Sequence, residues 1–337
     1  MKTSIVTKKF ILFPVFILFV VSLLSFKTKD TTIVVSKDGK GNFMTIQQAV
    51  DAVENGTAAR TRIIIKTGVY NEKITVSETK GAILMEGENP ENTMITYDDY
   101  ASKKNADGKE IGTTGSATVF IFSNDFTARN ISFKNSSGKV GQAVAVLTAG
   151  DRIAFENCRF LGFQDTLYLK GAQDLQDKTK PSRNYFSNCY IEGTTDYIFG
   201  AGTAVFENCT IYSKESASYV TAASTPQDNA FGFVFIQCKI MGNAAEHSVY
   251  LGRPWRPFAK TVYINCEMNS TIKPEGWHNW NKPDAEKTIL YAEYNSKGAG
   301  APISKRVSWS HQLTPSERKN YTTTNILKGW NVKKSLK

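Results

Sequence analysis

Hydrophobic and polar positions recur along the chain in a short pattern that is centred on cysteine. An aromatic residue lies three positions before each cysteine, and an apolar residue lies two positions after it. The five copies are FENCRF at 155–160, FSNCYI at 186–191, FENCTI at 206–211, FIQCKI at 235–240 and YINCEM at 263–268. The cysteines are 31, 20, 29 and 28 residues apart. A repeat of 20–50 residues is typical of a solenoid, in which each unit buries its apolar face against its neighbours.

The repeats are predicted to be strands, because they are short, rich in β-branched and aromatic residues, and bounded by Gly, Asn, Ser and Thr. Strict alternation would place the aromatic residue and the cysteine on opposite faces of a strand. Both are apolar, so we expect a bend between them. Asn precedes four of the five cysteines and tolerates a left-handed backbone. The pattern therefore predicts an all-β fold, a right-handed parallel β-helix with the cysteines stacked inside it.

Different elements are predicted at the two ends of this solenoid. Thr45 and Gln48 form a T-x-x-Q capping pattern before an amphipathic stretch that Gly56 ends, which predicts a short N-terminal capping helix. GVYNE at 68–72 is predicted to be a turn between strands. The tail at 313–330 contains LTPSER, a typical helix start, and we expect it to pack against the outside of the solenoid.

The N-terminus is predicted to be an export signal. Three lysines precede an apolar run at 10–26 that contains Pro14. This run is short for a transmembrane span, and proline weakens a helix there. We therefore expect a cleaved signal peptide over residues 1–26 and one β-helix domain over 31–331. The protein is expected to be exported, secreted or periplasmic, with no stable membrane association after cleavage.

The composition limits which cofactors and partners are expected. The five cysteines are odd in number and share one register, which predicts buried free thiols. No metal-binding motif is present, so we expect neither a metal nor another cofactor. The formal net charge of +10 falls to +7 without residues 1–26, which suits an acidic polymer as partner. Nucleic acid is not expected, because no basic run has interleaved aromatic residues. A monomer is expected.

Two aspartates occupy equivalent positions in consecutive repeats. Asp165 and Asp196 each follow their cysteine by seven residues, which places them side by side on neighbouring coils about 4.8 Å apart. Two such carboxylates among apolar residues are costly unless they divide acid and base roles, although each could merely close a turn. The pair suggests either glycoside hydrolysis or covalent catalysis by an Asp nucleophile. The histidines His247, His278 and His311 lie in no catalytic motif and are expected to be structural or exposed.

Three motifs in order resemble the signatures of pectin methylesterases, carbohydrate esterases with the right-handed β-helix fold. They are GFQDTLY at 162–168, GTTDYIFG at 193–200 and YLGRPW at 250–255. Weaker matches extend the resemblance from about residue 32 to residue 330, and they include GVYNE, GSATV at 115–119, GQAVAV at 141–146, IKPEGW at 272–277, YAEYNSKGAGA at 291–301 and NILKGW at 325–330. The resemblance implies hydrolysis of the methyl esters of homogalacturonan (pectin), with methanol as the second product and no cofactor.

The resemblance also implies a role for each matching residue. Asp196 would be the nucleophile, and Asp165 would act first as general acid and then as general base. Gln142 and Gln164 would donate hydrogen bonds to the oxyanion, and Arg253 would pair with Asp196. These five residues form the predicted catalytic set.

Three further residues are implied as substrate contacts, namely Trp255 as a sugar-stacking face, Thr113 and Phe199. The chain departs from the family in two places. Tyr197 stands where Phe is usual, and the polar stretch 170–182 is longer than usual and is predicted to be a loop near the cleft.

Other activities on the same solenoid are left open by the residues. A polygalacturonase would be expected to carry a further Asp pair and a Gly-His-Gly motif, and a calcium-dependent lyase would need a denser acidic cluster. A polysaccharide-binding solenoid without activity would not need the five catalytic residues together. An esterase of the same family that acts on another ester is the third alternative.

Overall fold

The computed structural model describes residues 31–57, 59–171, 180–215 and 217–336, together with Met1 and Thr3. The predicted signal peptide and most of the polar stretch 170–182 lie outside the described residues. Among the residues that are described, no helix is long and apolar enough to cross a membrane.

The described chain forms a right-handed parallel β-helix, as predicted, with three sheets in which every named pairing of strands is parallel. The first sheet contains, in spatial order, β1 (Thr31–Val35), β2 (Thr61–Ile65), β5 (Ile83–Gly87), β8 (Phe126–Arg129), β11 (Ile153–Glu156), β14 (Arg183–Ser187), β17 (Thr203–Glu207), β20 (Phe233–Ile236), β23 (Lys260–Ile264), β25 (Leu290–Tyr294) and β26 (His311–Gln312). The second sheet contains β4 (Ile74–Val76), β7 (Val119–Ile121), β10 (Val146–Thr148), β13 (Leu167–Leu169), β16 (Thr195–Gly200), β19 (Tyr219–Ala223) and β22 (Tyr250–Gly252). The third sheet contains β3 (Gly68–Asn71), β6 (Thr93–Tyr97), β9 (Ser132–Asn135), β12 (Arg159–Leu161), β15 (Tyr190–Gly193), β18 (Thr210–Ser213), β21 (Lys239–Gly242) and β24 (Glu267–Met268).

Each cysteine follows a left-handed corner between the first and third sheets. The residues before the five cysteines all have positive φ, namely Asn157 (51°), Asn188 (54°), Asn208 (55°), Gln237 (55°) and Asn265 (52°). The predicted bend is therefore confirmed. All five cysteines are buried and free. The bend turns both the aromatic residue and the cysteine towards the interior, where a strictly alternating strand would separate them.

The aromatic residues of the repeats stack on one another from coil to coil. The ring centroids are 5.0 Å apart for Phe155–Phe186, 4.6 Å for Phe186–Phe206, 4.5 Å for Phe206–Phe235 and 4.5 Å for Phe235–Tyr263. The sequence repeat therefore becomes a column of similar side chains, so each coil supplies the apolar surface that the next coil covers.

Helix α1 (Ile46–Asp51) covers the N-terminal end of the solenoid, as predicted, and buries three of its residues. The Thr45 side chain accepts a hydrogen bond from the backbone N–H of Gln48. The carboxylate of Glu72 accepts hydrogen bonds from the first two backbone N–H groups of the helix, where negative charge is favourable. The helix ends before the predicted stop at Gly56.

The prediction of a turn at 68–72 is wrong. Gly68–Asn71 form β3, which pairs with β6. Val69 is exposed and Tyr70 is buried, so the segment has the alternation of a half-buried strand. Gly and Asn at its ends hide this pattern, and Glu72 beyond it caps the helix.

The C-terminal tail packs against the outer face of the first sheet, as predicted. It contains α3 (Pro315–Arg318), α4 (Thr323–Ile326) and α5 (Val332–Ser335), and α3 begins with a capping box between Thr314 and Glu317. The apolar residues of the tail form one buried cluster with outward-facing residues of the sheet, and this cluster includes Leu313, Tyr321, Ile326, Leu327, Trp330, Val205, Val234, Val262 and Ala292. Short helical turns elsewhere are α2 (Gly112–Gly115) and the 3₁₀ turns Pro283–Lys287 and Ile303–Lys305.

Candidate active site

A cleft of about 550 Å³ opens on the outer face of the second sheet. It is lined by Ile111, Gly112, Thr113, Thr114, Gln142, Gln164, Asp165, Tyr168, Asp196, Phe199, Ala222, Arg253, Trp255 and Trp280. All eight residues that the sequence singled out as catalytic or substrate-binding lie among them. The second sheet thus brings together side chains from coils far apart in sequence.

The two aspartates lie on neighbouring strands in the same register. Leu167 pairs with Ile198, and Asp165 and Asp196 each lie two residues before these partners. The backbone N–H of Asp165 donates a 3.0 Å hydrogen bond to the carbonyl of Thr195. Side-by-side placement is what the equal spacing from the cysteines predicted.

Both aspartates adopt the left-handed conformation, with φ of 64° for Asp165 and 50° for Asp196. The pairing of β16 with β19 also shifts register between Thr195 and Ile198. An irregularity of this kind re-aims a side chain relative to strict alternation. As a result Asp196 lines the cleft, while the next two residues, Tyr197 and Ile198, both belong to the interior core.

Asp196 and Arg253 form a bidentate ion pair. Arg253 donates from Nε to Oδ1 at 2.9 Å and from Nη2 to Oδ2 at 2.7 Å. Arg253 follows β22 directly, and its own backbone N–H donates to the carbonyl of Thr221. Two parallel hydrogen bonds fix the plane of the carboxylate as well as its charge. Within the described residues, no hydrogen bond reaches the carboxyl group of Asp165.

The pKa values of the two carboxyl groups are both raised, but not equally. Burial raises the pKa of Asp165 well above its usual range, and the charge of Asp196 raises it further. Burial also raises the pKa of Asp196, whereas the hydrogen bonds and charge of Arg253 lower it. Sequence reasoning anticipated the effect of Arg253 and missed that burial outweighs it. The environment therefore makes Asp165 the better proton donor and Asp196 the better anion.

Arg253 lies between two aromatic rings that the sequence did not single out. The centre of its guanidinium is 3.9 Å from the ring of Tyr219 and 3.6 Å from the ring of Trp280. A planar guanidinium stacks favourably on aromatic faces. Tyr219 comes from the neighbouring strand β19, and Trp280 from a loop after β24, so no local motif unites them with Arg253.

Gln142 and Gln164 lie next to each other on adjacent coils, where they form an isolated parallel bridge. The backbone N–H of Ala143 donates to the carbonyl of Gln164. Within the part of the chain that the structure describes, neither side-chain amide has a hydrogen-bond partner. Both amides are therefore available to donate to a ligand in the cleft.

Aromatic rings form one wall of the cleft. Tyr168 and Phe199 stack with their centroids 4.3 Å apart, and Trp255 contacts both rings. Tyr168 was missed by the sequence reasoning although it lies within the motif GFQDTLY. Thr113 also lines the cleft, lies on the short helix α2 and is half-buried.

Tyr197, the departure from the usual Phe, has no contact with the cleft. Its ring is fully buried in the interior core, and its hydroxyl shares a 3.0 Å hydrogen bond with the hydroxyl of Ser213 on the third sheet. The extra hydroxyl is accommodated because the core provides a polar partner for it. No group of three or more His, Cys, Asp or Glu side chains that could hold a metal occurs among the described residues.

Comparison with known proteins places this cleft in a family. The Pectinesterase family model matches residues 32–330. Pectinesterase 31 of Arabidopsis thaliana is 39% identical over 289 residues, which cover 84% of this chain and 88% of that relative.

Solved structures agree with the sequence match. Pectin methylesterase from carrot superposes with a TM-score of 0.80 at 34% sequence identity, over 92% of this chain and 97% of that one. A pectin methylesterase in complex with hexasaccharide VII superposes with a TM-score of 0.76 at 29% identity, over 90% and 99% of the two chains. The protein is therefore an esterase, and the chain belongs to the pectinesterase family.

Proposed function

We propose that this protein hydrolyses the methyl esters of homogalacturonan through Asp196 as nucleophile and Asp165 as general acid and base. The observation that carries the proposal is the contrast between the two aspartates. Asp196 is held as an anion by two hydrogen bonds from Arg253, whereas the neighbouring Asp165 is buried without such a partner among the described residues.

In the first step, one carboxylate oxygen of Asp196 attacks the ester carbonyl carbon. The carbonyl oxygen becomes an oxyanion, which the side-chain amides of Gln142 and Gln164 stabilise by donating hydrogen bonds. A donor aimed at a developing oxyanion typically contributes about 3–4 kcal/mol to transition-state stabilisation. Both amides line the cleft without protein partners among the described residues, so donation to the substrate breaks no hydrogen bond of the fold.

In the second step, the oxyanion collapses and the bond to the methoxy group breaks. Asp165 gives its proton to the departing oxygen, and methanol leaves an acyl–Asp196 intermediate. The raised pKa of Asp165 keeps this proton available. Water then attacks the acyl carbon and Asp165 takes a proton from it, which releases the galacturonate carboxyl group and restores both aspartates.

The remaining residues of the cleft are suited to a sugar polymer. The face of Trp255 and the stacked pair Tyr168–Phe199 supply apolar surface for pyranose rings, and Thr113 supplies a hydroxyl in the same cleft. The relative that was solved with a hexasaccharide supports an oligosaccharide ligand for such a cleft. Residues 1–26 are proposed to direct export of the protein to this substrate outside the cytoplasm. The exported protein is proposed to be a monomer.

Incubation of the purified protein with highly methylated pectin tests the proposal. Methanol should be released and the medium should acidify, equally with and without chelator, while the length of the polymer stays unchanged. New reducing ends would indicate a glycosidase, and new ultraviolet absorbance would indicate a lyase. Hydrolysis of another ester, without methanol from pectin, would overturn the substrate and leave the aspartate chemistry in place.

A further inference from the structure

His278 lies close to Arg253, on the loop that also carries Trp280. Its backbone N–H donates a 3.1 Å hydrogen bond to the carbonyl of Gly252, the residue directly before Arg253. Its Nδ1 accepts a 2.9 Å hydrogen bond from the backbone N–H of Trp280. His278 thus connects β22, which leads directly into Arg253, to Trp280, through its backbone on one side and its imidazole on the other.

The imidazole also packs against the ring beneath Arg253. Its centroid is 5.7 Å from that of Tyr219 and 5.2 Å from that of Tyr250, and these two tyrosines stack on each other at 5.4 Å. His278 therefore contacts both residues whose rings enclose the guanidinium of Arg253, namely Tyr219 through its ring and Trp280 through its backbone N–H.

The backbone of Trp280 is strained at the point where it bonds to His278. Its φ is 57°, a left-handed conformation that is unfavourable for a bulky residue and persists only where the surroundings impose it. The hydrogen bond from its N–H to the side chain two residues earlier closes the turn in this conformation. Loss of the acceptor would free the indole from the face of Arg253.

We propose that His278 is a positioning residue, which aligns Arg253 and, through it, the carboxylate of Asp196 by holding Trp280 and Tyr219. The inference rests on the proposed role of Asp196 as nucleophile. His278 is not among the residues that line the cleft, so it acts only through Tyr219 and Trp280. A nucleophile misplaced by about 1 Å can lose two orders of magnitude in rate, so the alignment has catalytic value.

The alignment requires a neutral imidazole, because a protonated Nδ1 cannot accept a hydrogen bond. Burial and the nearby cations Arg253 and Lys273 lower the pKa of His278, and the other groups that face it are the rings of Tyr219 and Tyr250. Among the described residues, no carboxylate pairs with it. Acidification below this pKa should therefore loosen the ion pair and add a second acid-side loss of kcat to the protonation of Asp196.

Two substitutions separate the acceptor from the ring. His278→Phe keeps an aromatic ring and removes the acceptor, so kcat should fall about tenfold with little change in KM. His278→Asn keeps an acceptor suited to the N–H two residues later and cannot titrate. It should restore kcat to within about threefold of wild type and remove the histidine contribution from the acid limb of the pH profile. His311→Asn is the matched control and should leave kcat and the pH profile unchanged, because His311 pairs with Glu317 in the tail.

Histidine NMR tests the contact without substrate, and the chain has only three histidines to assign. In wild type, His278 should be the Nε2–H tautomer, and Arg253→Gln should raise its pKa because a nearby positive charge is removed. An Nδ1–H tautomer, an unchanged pKa in Arg253→Gln, or a His278→Phe variant with wild-type kcat would overturn the proposal. A wild type inactive on pectin would overturn the proposed function alone, since the NMR result stands apart from it.

Discussion

The two faces of the second sheet are made from the same strands but bury different kinds of side chain. The inner face consists of fully buried apolar side chains such as Val146, Leu167 and Leu169. The outer face holds Asp165 and Asp196, which are only 7% and 6% exposed. The change from a cleft residue to a core residue occurs between the adjacent residues Asp196 and Tyr197.

The inner face stabilises the fold, because a coil that repeats the residues of its neighbour buries them in a column of like side chains. The outer face repeats a carboxyl group instead. Burial of two neighbouring carboxyl groups costs free energy, because ionisation of both would place like charges side by side and only Asp196 pairs with Arg253. A costly arrangement in a cleft is typical of a site that performs chemistry. The inner face of the sheet therefore stabilises the fold, and the outer face carries the reactive groups.

Substitution at the boundary of the two faces gives the largest expected effect. Asp196→Ala should reduce methanol release to background, because it removes the nucleophile itself. Its matched control is Tyr197→Phe, which should keep kcat and lose about 1 kcal/mol of unfolding free energy with the Ser213 hydrogen bond. Activity in Asp196→Ala above about a tenth of wild type would contradict the division between the faces.

Asp165→Asn should lower kcat by about 10²–10⁴-fold with little change in KM. The amide has the shape of the protonated acid but transfers no proton. Steady-state kinetics on methylated pectin measures both parameters. A variant that lost affinity and kept kcat would place Asp165 in substrate binding instead.

A substitution on the inner face should lower the free energy of unfolding and leave the rate of catalysis unchanged. Phe186→Ala interrupts the stacked column and should cost about 3–5 kcal/mol of unfolding free energy. Denaturant titration measures the loss, and activity per folded molecule should stay close to that of wild type. A selective loss of kcat in the folded fraction would show that the two faces are coupled.

Asp165→Asn should also stabilise the fold at neutral pH. The pKa of Asp165 is raised in the folded state, so its stabilising contribution is present below its unfolded pKa near 3.8 and is lost as pH rises through the folded value. Asn cannot ionise and avoids that loss. The Tm of the variant should exceed that of wild type at pH 7, and the difference should disappear below about pH 3.8. An equal or lower Tm at pH 7 would mean that the fold does not raise the pKa of Asp165.

Reduction should have the smallest effect. The five cysteines are buried as free thiols, so a reducing agent should leave Tm unchanged within error. Thiol titration of the denatured protein should find five free groups. Two or fewer would show that disulfides contribute to the interior.

The sequence predicted most of the fold because its repeat is local and regular. The aromatic residue, the Asn or Gln and the cysteine of each repeat determine the corner, and the corner stacks the coils. The equal spacing of Asp165 and Asp196 from their cysteines likewise predicted their proximity. GVYNE was misread because one strand of a solenoid is only four residues long here, and its terminal Gly and Asn resemble turn residues.

The surroundings of Arg253 were not predictable in the same way. Tyr219 and Trp280 come from different coils and share no motif with it, and His278 looked like an isolated histidine. The contact between His278 and Trp280 is made at a left-handed residue, Trp280, and the residue pattern does not reveal such a turn. The balance between burial and Arg253 at Asp196 likewise requires the three-dimensional structure.

The central claim is that the cleft divides two neighbouring carboxyl groups into an acid and an anion. Carbon-13 NMR of aspartate-labelled protein across pH, with Asp165→Asn and Asp196→Asn for assignment, measures this division directly. We predict that both groups have a pKa above 3.8, that Asp165 has the higher one, and that Arg253→Gln raises the pKa of Asp196. A pKa of Asp165 at or below that of Asp196 would contradict the account. So would a pKa of Asp196 that stays unchanged in Arg253→Gln.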